Sequence, residues 1–245
     1  MADRLRKLGI VMMVMGVVFA GAGIYAFTQV QAGNNSLQAF SKAQNVTLSY
    51  NDDGQLVDRG TTEGADAIMS MLEDDWGFRV VEGDLDPNDP LVNTATEYMY
   101  QMAVVGFHVM HGTQTVVLDE AVEYNDETFA AGPHEIVINT IGSDERVAAG
   151  LGGYWTDFDR QHPIEGPARS QSWTGTVHGL FGELGVGTVT ASTLQLASGL
   201  AALVLGLGLT ILLLGTGLYW TGRGKEADER TVFVTTEPKP EPANV

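Results

Sequence analysis

Two long uncharged apolar runs constrain this chain more than anything else in it. Leu8–Val30 and Leu194–Trp220 contain no Asp, Glu, Lys, Arg or His. Each holds at least about 20 residues, which at roughly 1.5 Å per helical residue is enough to cross a hydrocarbon layer of roughly 30 Å. The expected architecture is a membrane protein with two transmembrane helices flanking an extracytoplasmic α+β domain. Its segments are a cytoplasmic N-terminus (1–7), a first span (8–30), the acidic domain (31–190), a second span (191–221) and a disordered cytoplasmic tail (222–245).

Charge gives the orientation. Arg4, Arg6 and Lys7 precede the first run, and Arg223 and Lys225 follow the second. Basic residues near span ends stay on the cytoplasmic side, so both termini are expected inside and the middle outside the cell membrane. A signal peptide ending Val30-Gln31-Ala32 is the rival for the first run, but apolar cores of secretory signals are usually about 7–15 residues.

The chain has a net charge of −18, and the acid lies in the middle: residues 29–190 carry 25 Asp/Glu and 6 Lys/Arg, a net of −19. Such a segment repels phosphate backbones, so nucleic acid is not an expected partner. With no cysteine, disulfides, thiolate metal sites and Cys nucleophiles are excluded.

Small residues mark a packing stripe. Ser198, Ala202, Gly206 and Thr210 recur every four residues in the second run, and Gly16 and Ala20 do so in the first. Such spacing lets backbones approach closely in lipid. The stripe is expected to receive the other span, a second copy or another membrane protein.

Between the runs, Val46–Val57 reads as a β-hairpin turning at Asn51–Gly54, and Thr62–Asp74 as a helix with Ala65, Ile68, Met69 and Leu72 on one face. Asp89 and Pro90 are placed to start a central helix, Leu91–His111, with Tyr98, Met102, Val105 and Val109 inward. Strands are expected at Thr115–Leu118, Ala121–Tyr124 and Glu135–Asn139, with turns at Asn125-Asp126 and Gly132-Pro133. Residues 142–153 read as loop and 168–184 as a helix, with a break at Gly185–Thr188.

Candidate chemistry is sparse. His108 and His111 lie three apart on the central helix and can share a face as metal ligands, but the HExxH frame is absent. Asp84, Asp86, Asn88 and Asp89 begin like a calcium loop; Asp89 then stands where glycine is needed and Ala95 where the bidentate Glu belongs. No G-x-S-x-G or G-x-G-x-x-G frame is present. Trp155 and Trp173, with Tyr154 and Phe158, form an aromatic cluster in sequence and are candidate interaction residues.

RLRKLGIVMMVMGVVFAGAGIYAFTQVQAG, LSYNDDGQLVDRGTTEGADAIMSML, DLDPNDPLVNTATEYMYQMA, HGTQTVVLD and WTGTVHGLFGELGVGTVTASTLQ together resemble a group of small two-span actinobacterial membrane proteins. The likeness covers nearly the whole chain. Members are often labelled aromatic ring-opening dioxygenases. That label implies a ferrous site of two His and a carboxylate with open positions, and the sequence around His108 and His111 does not match such a frame. The expected function is therefore a non-enzymatic accessory or interaction subunit. Its partners would be the lipid bilayer and a membrane or envelope protein, or a second copy through the second span, with no cofactor. A metal-binding protein or metal-dependent enzyme using His108 and His111 is the alternative.

Overall fold

In the computed structural model, residues 2–142, 148 and 158–235 are described, and they form five α-helices, four short strands and brief 3-10 and π segments. The helices are α1 (Ala2–Gln44), α2 (Thr62–Ser70), α3 (Ala95–Met110), α4 (Glu165–Ser172) and α5 (Gly175–Thr235). The chain divides into two compact units, Met1–Ser36 with Thr193–Val245, and Leu37–Ser192. Two long apolar helices near the termini thus flank a small region of helices and short strands.

Each terminal helix runs past its apolar run. Helix α1 extends to Gln44, and Asn45 closes it in the left-handed conformation (φ 53°) with its N–H donating to the Ser41 carbonyl at 2.9 Å. Helix α5 starts at Gly175, so the expected break at Gly185–Thr188 is absent. The break falls instead at Trp173-Thr174, where the Thr174 hydroxyl accepts from the Val177 N–H at 3.3 Å. At its other end α5 runs on to Thr235, through residues expected to be disordered. A helix already nucleated extends at little cost, and no proline interrupts it before Pro238.

Within Leu37–Ser192, the expected hairpin at Val46–Val57 is reduced to isolated bridges, Tyr50 with Leu56 and Thr47 with Leu91. The turn itself forms, with the Asn51 N–H donating to the Gln55 carbonyl at 2.9 Å. Helix α2 buries Ala65 and Ile68 and passes into a π segment, Met71–Asp75, that buries Met71 and Leu72.

Helix α3 has no exposed residue. It begins at Ala95, four residues later than expected, because Thr94 caps it: the Thr94 Oγ1 accepts from the Glu97 N–H, and the Glu97 carboxylate accepts from the N–H groups of Thr94 and Asn93 at 2.8 and 2.9 Å. Its buried residues are Thr96, Glu97, Tyr98, Tyr100, Ala103, Gly106 and Met110. Of the expected face only Tyr98 is buried; Met102, Val105 and Val109 are half-buried.

The strands are β1 (Thr113–Leu118), β2 (Val122–Tyr124), β3 (Glu127–Phe129) and β4 (Gly132–Val137). Strand β1 pairs antiparallel with β4, and β2 with β3. Asn125 and Asp126, both at positive φ, make the two-residue turn between β2 and β3. Gly132 and Pro133 belong to β4 and are not a turn, and Ile138–Thr140 is a 3-10 turn. The inner side of the β1–β4 ribbon packs against α4 through Val116, Ile138, Ile141, Ile164 and Ala168.

Candidate functional site

Two places gather side chains in ways that bear on function: the seam between α1 and α5 in the first unit, and the surroundings of α3 in the second.

The seam is built from glycine at seven-residue intervals on both helices. Ala2, Gly9, Gly16 and Gly23 are buried on α1, and Ala201, Gly208, Gly215 and Gly222 on α5. A Cβ at Gly16 would lie 2.6 Å from the Leu212 backbone N, and one at Gly23 2.6 Å from the Leu205 N. One at Gly9 would lie 2.7 Å from the Gly215 carbonyl oxygen, and one at Gly208 would collide with the backbone of Ala20. Backbone meets backbone along the seam. Where the two helices carry their basic flanks, the Arg6 guanidinium lies 5.6 Å from the Tyr219 ring centre.

Gly16 and Ala20 lie in this seam, but the four-spaced stripe on α5 does not form it. None of the described residues lies within 4 Å of a Cβ at Gly206, and Ala202 and Thr210 are exposed. Half-buried Ser198 and exposed Thr210 donate their hydroxyls within the helix, to the Leu194 and Gly206 carbonyls. The reason is angular. A four-residue step turns about 40° past a full turn, so Ser198 to Thr210 winds around the helix. A seven-residue step drifts only about 20° and stays on one face when helices supercoil left-handed. The glycine heptads are present in the sequence and were the signal to read.

Around α3, Tyr98 is fully buried. Its hydroxyl meets Ser41 Oγ on α1 at 2.8 Å, and its ring lies where a side chain at Gly187 on α5 would go, 2.6 Å from that Cβ position. Gln44 donates to the Glu183 carboxylate, a second tie between the same two helices. Gly106 plays the same part beside Trp76 and Phe181. Both terminal helices are thus locked to α3 within this unit.

The ring nitrogens of His108 and His111 take separate partners, while the Phe107 ring lies beside both imidazoles, its centroid 5.7 Å from that of His108. His108 Nε2 lies 2.9 Å from Asp58 Oδ1, whereas the His111 ring stacks on Phe107, centroids 4.1 Å apart, with Nδ1 at 2.9 Å from the Phe107 carbonyl. Among the described residues no three His, Asp or Glu side chains converge on a possible metal position. Asp58 is held by a tight turn through Arg59 and Gly60, both at positive φ, with reciprocal bonds to Thr61. Near Asp58, burial raises the Tyr100 phenol above its ordinary value, and burial likewise raises that of Tyr50. Both hydroxyls are buried without a hydrogen-bond partner among the described residues. Burial also raises the Glu97 carboxyl, against the opposing pull of its backbone donors.

Trp173 is only 7% exposed; its ring packs edge-on against Phe181 and under the Arg169 guanidinium, 4.7 Å from its centre. Trp173 thus sits in the packed interior of this unit. Trp155 and Tyr154 lie outside the described residues. At the turn of the β2–β3 hairpin, Glu123, Tyr124, Asn125, Asp126 and Thr128 line an open hollow of about 300 Å3. Tyr124 there donates to Asp159, which lowers the Asp159 carboxyl and raises the phenol.

No family model matches the chain, and neither does a curated protein or a solved structure.

Proposed function

We propose that this is a non-enzymatic integral protein of the cell membrane. Its two helices span the bilayer with both termini cytoplasmic, and its acidic α+β region stands outside as an accessory subunit for a membrane or envelope protein. The observation that carries the reading is the outer surface of the helix pair. While glycine fills the seam, the large apolar side chains point away from it: Val14, Val17, Val18 and Ile24 on α1 and Leu196, Leu203, Leu207 and Leu213 on α5 are 47–73% exposed. A continuous apolar surface of this kind needs a cover, and lipid is the cover suited to helices of this length. Exposed Tyr25 and Trp220 suit the headgroup level.

The region Leu37–Ser192 supports a binding role through its charge. Topology is tested with single cysteines in the naturally cysteine-free chain. Asp126→Cys is expected to react with an impermeant maleimide on intact cells, and Ala2→Cys only after permeabilisation; the reverse pattern refutes the orientation. The subunit role is tested by purifying the tagged protein from its own membranes in mild detergent. A protein retained in constant ratio supports the role, and recovery of this chain alone refutes it.

A further inference from the structure

The two edges of the β1–β4 ribbon differ. The Ile138 N–H donates to the Gly112 carbonyl at 3.1 Å, in the same register that sets Gln114 opposite Ile136 and Val116 opposite His134. Antiparallel pairs alternate between bonded and non-bonded, so Thr113, Thr115 and Val117 turn their N–H and C=O groups away from β4. On the opposite edge Pro133 and Glu135 face out, and Pro133 offers no N–H, which blocks addition of a strand there. Strand β1 has no such block. Its three outward residues are exposed, Val117 at 63%, none is charged, and their backbone groups make no hydrogen bond to other described residues.

The charge around this edge has one sign. Thr113–Val137 contains six carboxylates, Asp119, Glu120, Glu123, Asp126, Glu127 and Glu135, and no Lys or Arg. A second copy would bring six more, so self-pairing here is opposed by repulsion. An extended segment bearing Lys or Arg would meet both the open backbone groups and the field.

We propose that the outer edge of β1 binds an extended basic segment of a partner protein as an added strand, main-chain hydrogen bonds giving affinity and the carboxylates selecting charge. This rests on the accessory-subunit reading and names the kind of partner. The test uses the full-length protein in detergent and three short peptides: alternating Thr and Lys, the same charge interrupted by Pro, and alternating Thr and Glu. The Thr/Lys peptide is expected to bind at least about tenfold more tightly than the Pro-interrupted one, a gap of about 1.4 kcal/mol, and to slow exchange of the Thr115 and Val117 amides.

Thr115→Pro removes an outward N–H that the β1–β4 ladder does not use, and should abolish this preference while the Val116 amide stays protected. Val117→Lys leaves the backbone untouched and should weaken binding. Equal affinity for the two basic peptides, unchanged binding by both variants, or no binding of the Thr/Lys peptide overturns the proposal. Retention of a native partner by folded Thr115→Pro would overturn this edge while leaving the subunit role standing; absence of any native partner from the unaltered protein would refute the role.

Discussion

Tyr98 reaches Ser41 through its hydroxyl, at 2.8 Å, from the first turn of a helix, fifty-seven residues further along the chain. The Ser41 hydroxyl also lies 3.1 Å from the Leu37 carbonyl, so it can donate there while accepting from the phenol. Tyr98→Phe should cost about 1 kcal/mol through the lost bond, and Gly187→Ala about 1–3 kcal/mol by forcing a Cβ against the ring. Denaturant unfolding of the detergent-solubilised protein measures both. Equal stability of Gly187→Ala and the unaltered chain would show that the ring is not wedged there.

The heptad seam separates two substitutions that composition alone would treat alike. Gly208→Leu should disrupt pairing of α1 and α5, because its Cβ collides with the Ala20 backbone. Gly206→Leu should leave the pair intact. A disulfide between cysteines introduced at Met13 and Leu212 reports on the seam: its yield should fall with the first variant alone. Loss with both would return the four-spaced stripe to the contact.

The two histidines can be told apart by coupling. In a double-mutant cycle, His108→Ala and Asp58→Ala should be non-additive by about 0.5–3 kcal/mol, the range for residues in contact. His108→Ala and His111→Ala should couple more weakly, since their ring nitrogens have different partners and the shared contact is the Phe107 ring beside both. Coupling between the histidines that disappears with a chelator would instead indicate a shared metal.

Glu97 gives a signed pH dependence. Its folded carboxyl is raised above the ordinary value of 4.5, chiefly by burial. The folded state therefore binds more proton than the unfolded state, and this contribution to stability is present below about 4.5 and lost as pH rises through the folded value. Glu97→Gln should remove that portion of the decline and keep an acceptor for the Thr94 and Asn93 N–H groups. Unfolding curves of the two proteins across this window should diverge; parallel curves would mean that burial does not control the group.

The elements legible in the sequence were those carried by local pattern. The apolar runs give α1 and α5, the Ala65 and Ile68 spacing gives α2, and Asn125-Asp126 gives the hairpin turn. The start of α3 was also legible in Thr94-x-x-Glu97, although Asp89-Pro90 is a competing start signal that the fold does not use. Strand β3 was hidden because three residues next to a turn carry too little alternation to stand out.

Composition and periodicity were enough to establish two uncharged apolar runs of membrane-crossing length and a strongly acidic middle, because helix formation and hydrophobic burial depend on residues close in sequence. Which residues faced which partner was decided by packing. Tyr98 with Ser41 and Gly187, His108 with Asp58, and Trp173 under Arg169 each join positions whose meeting depends on chain reversals between them. A side chain that can serve as ligand, interaction surface or core takes the role left by its neighbours in space, and no local pattern records those neighbours.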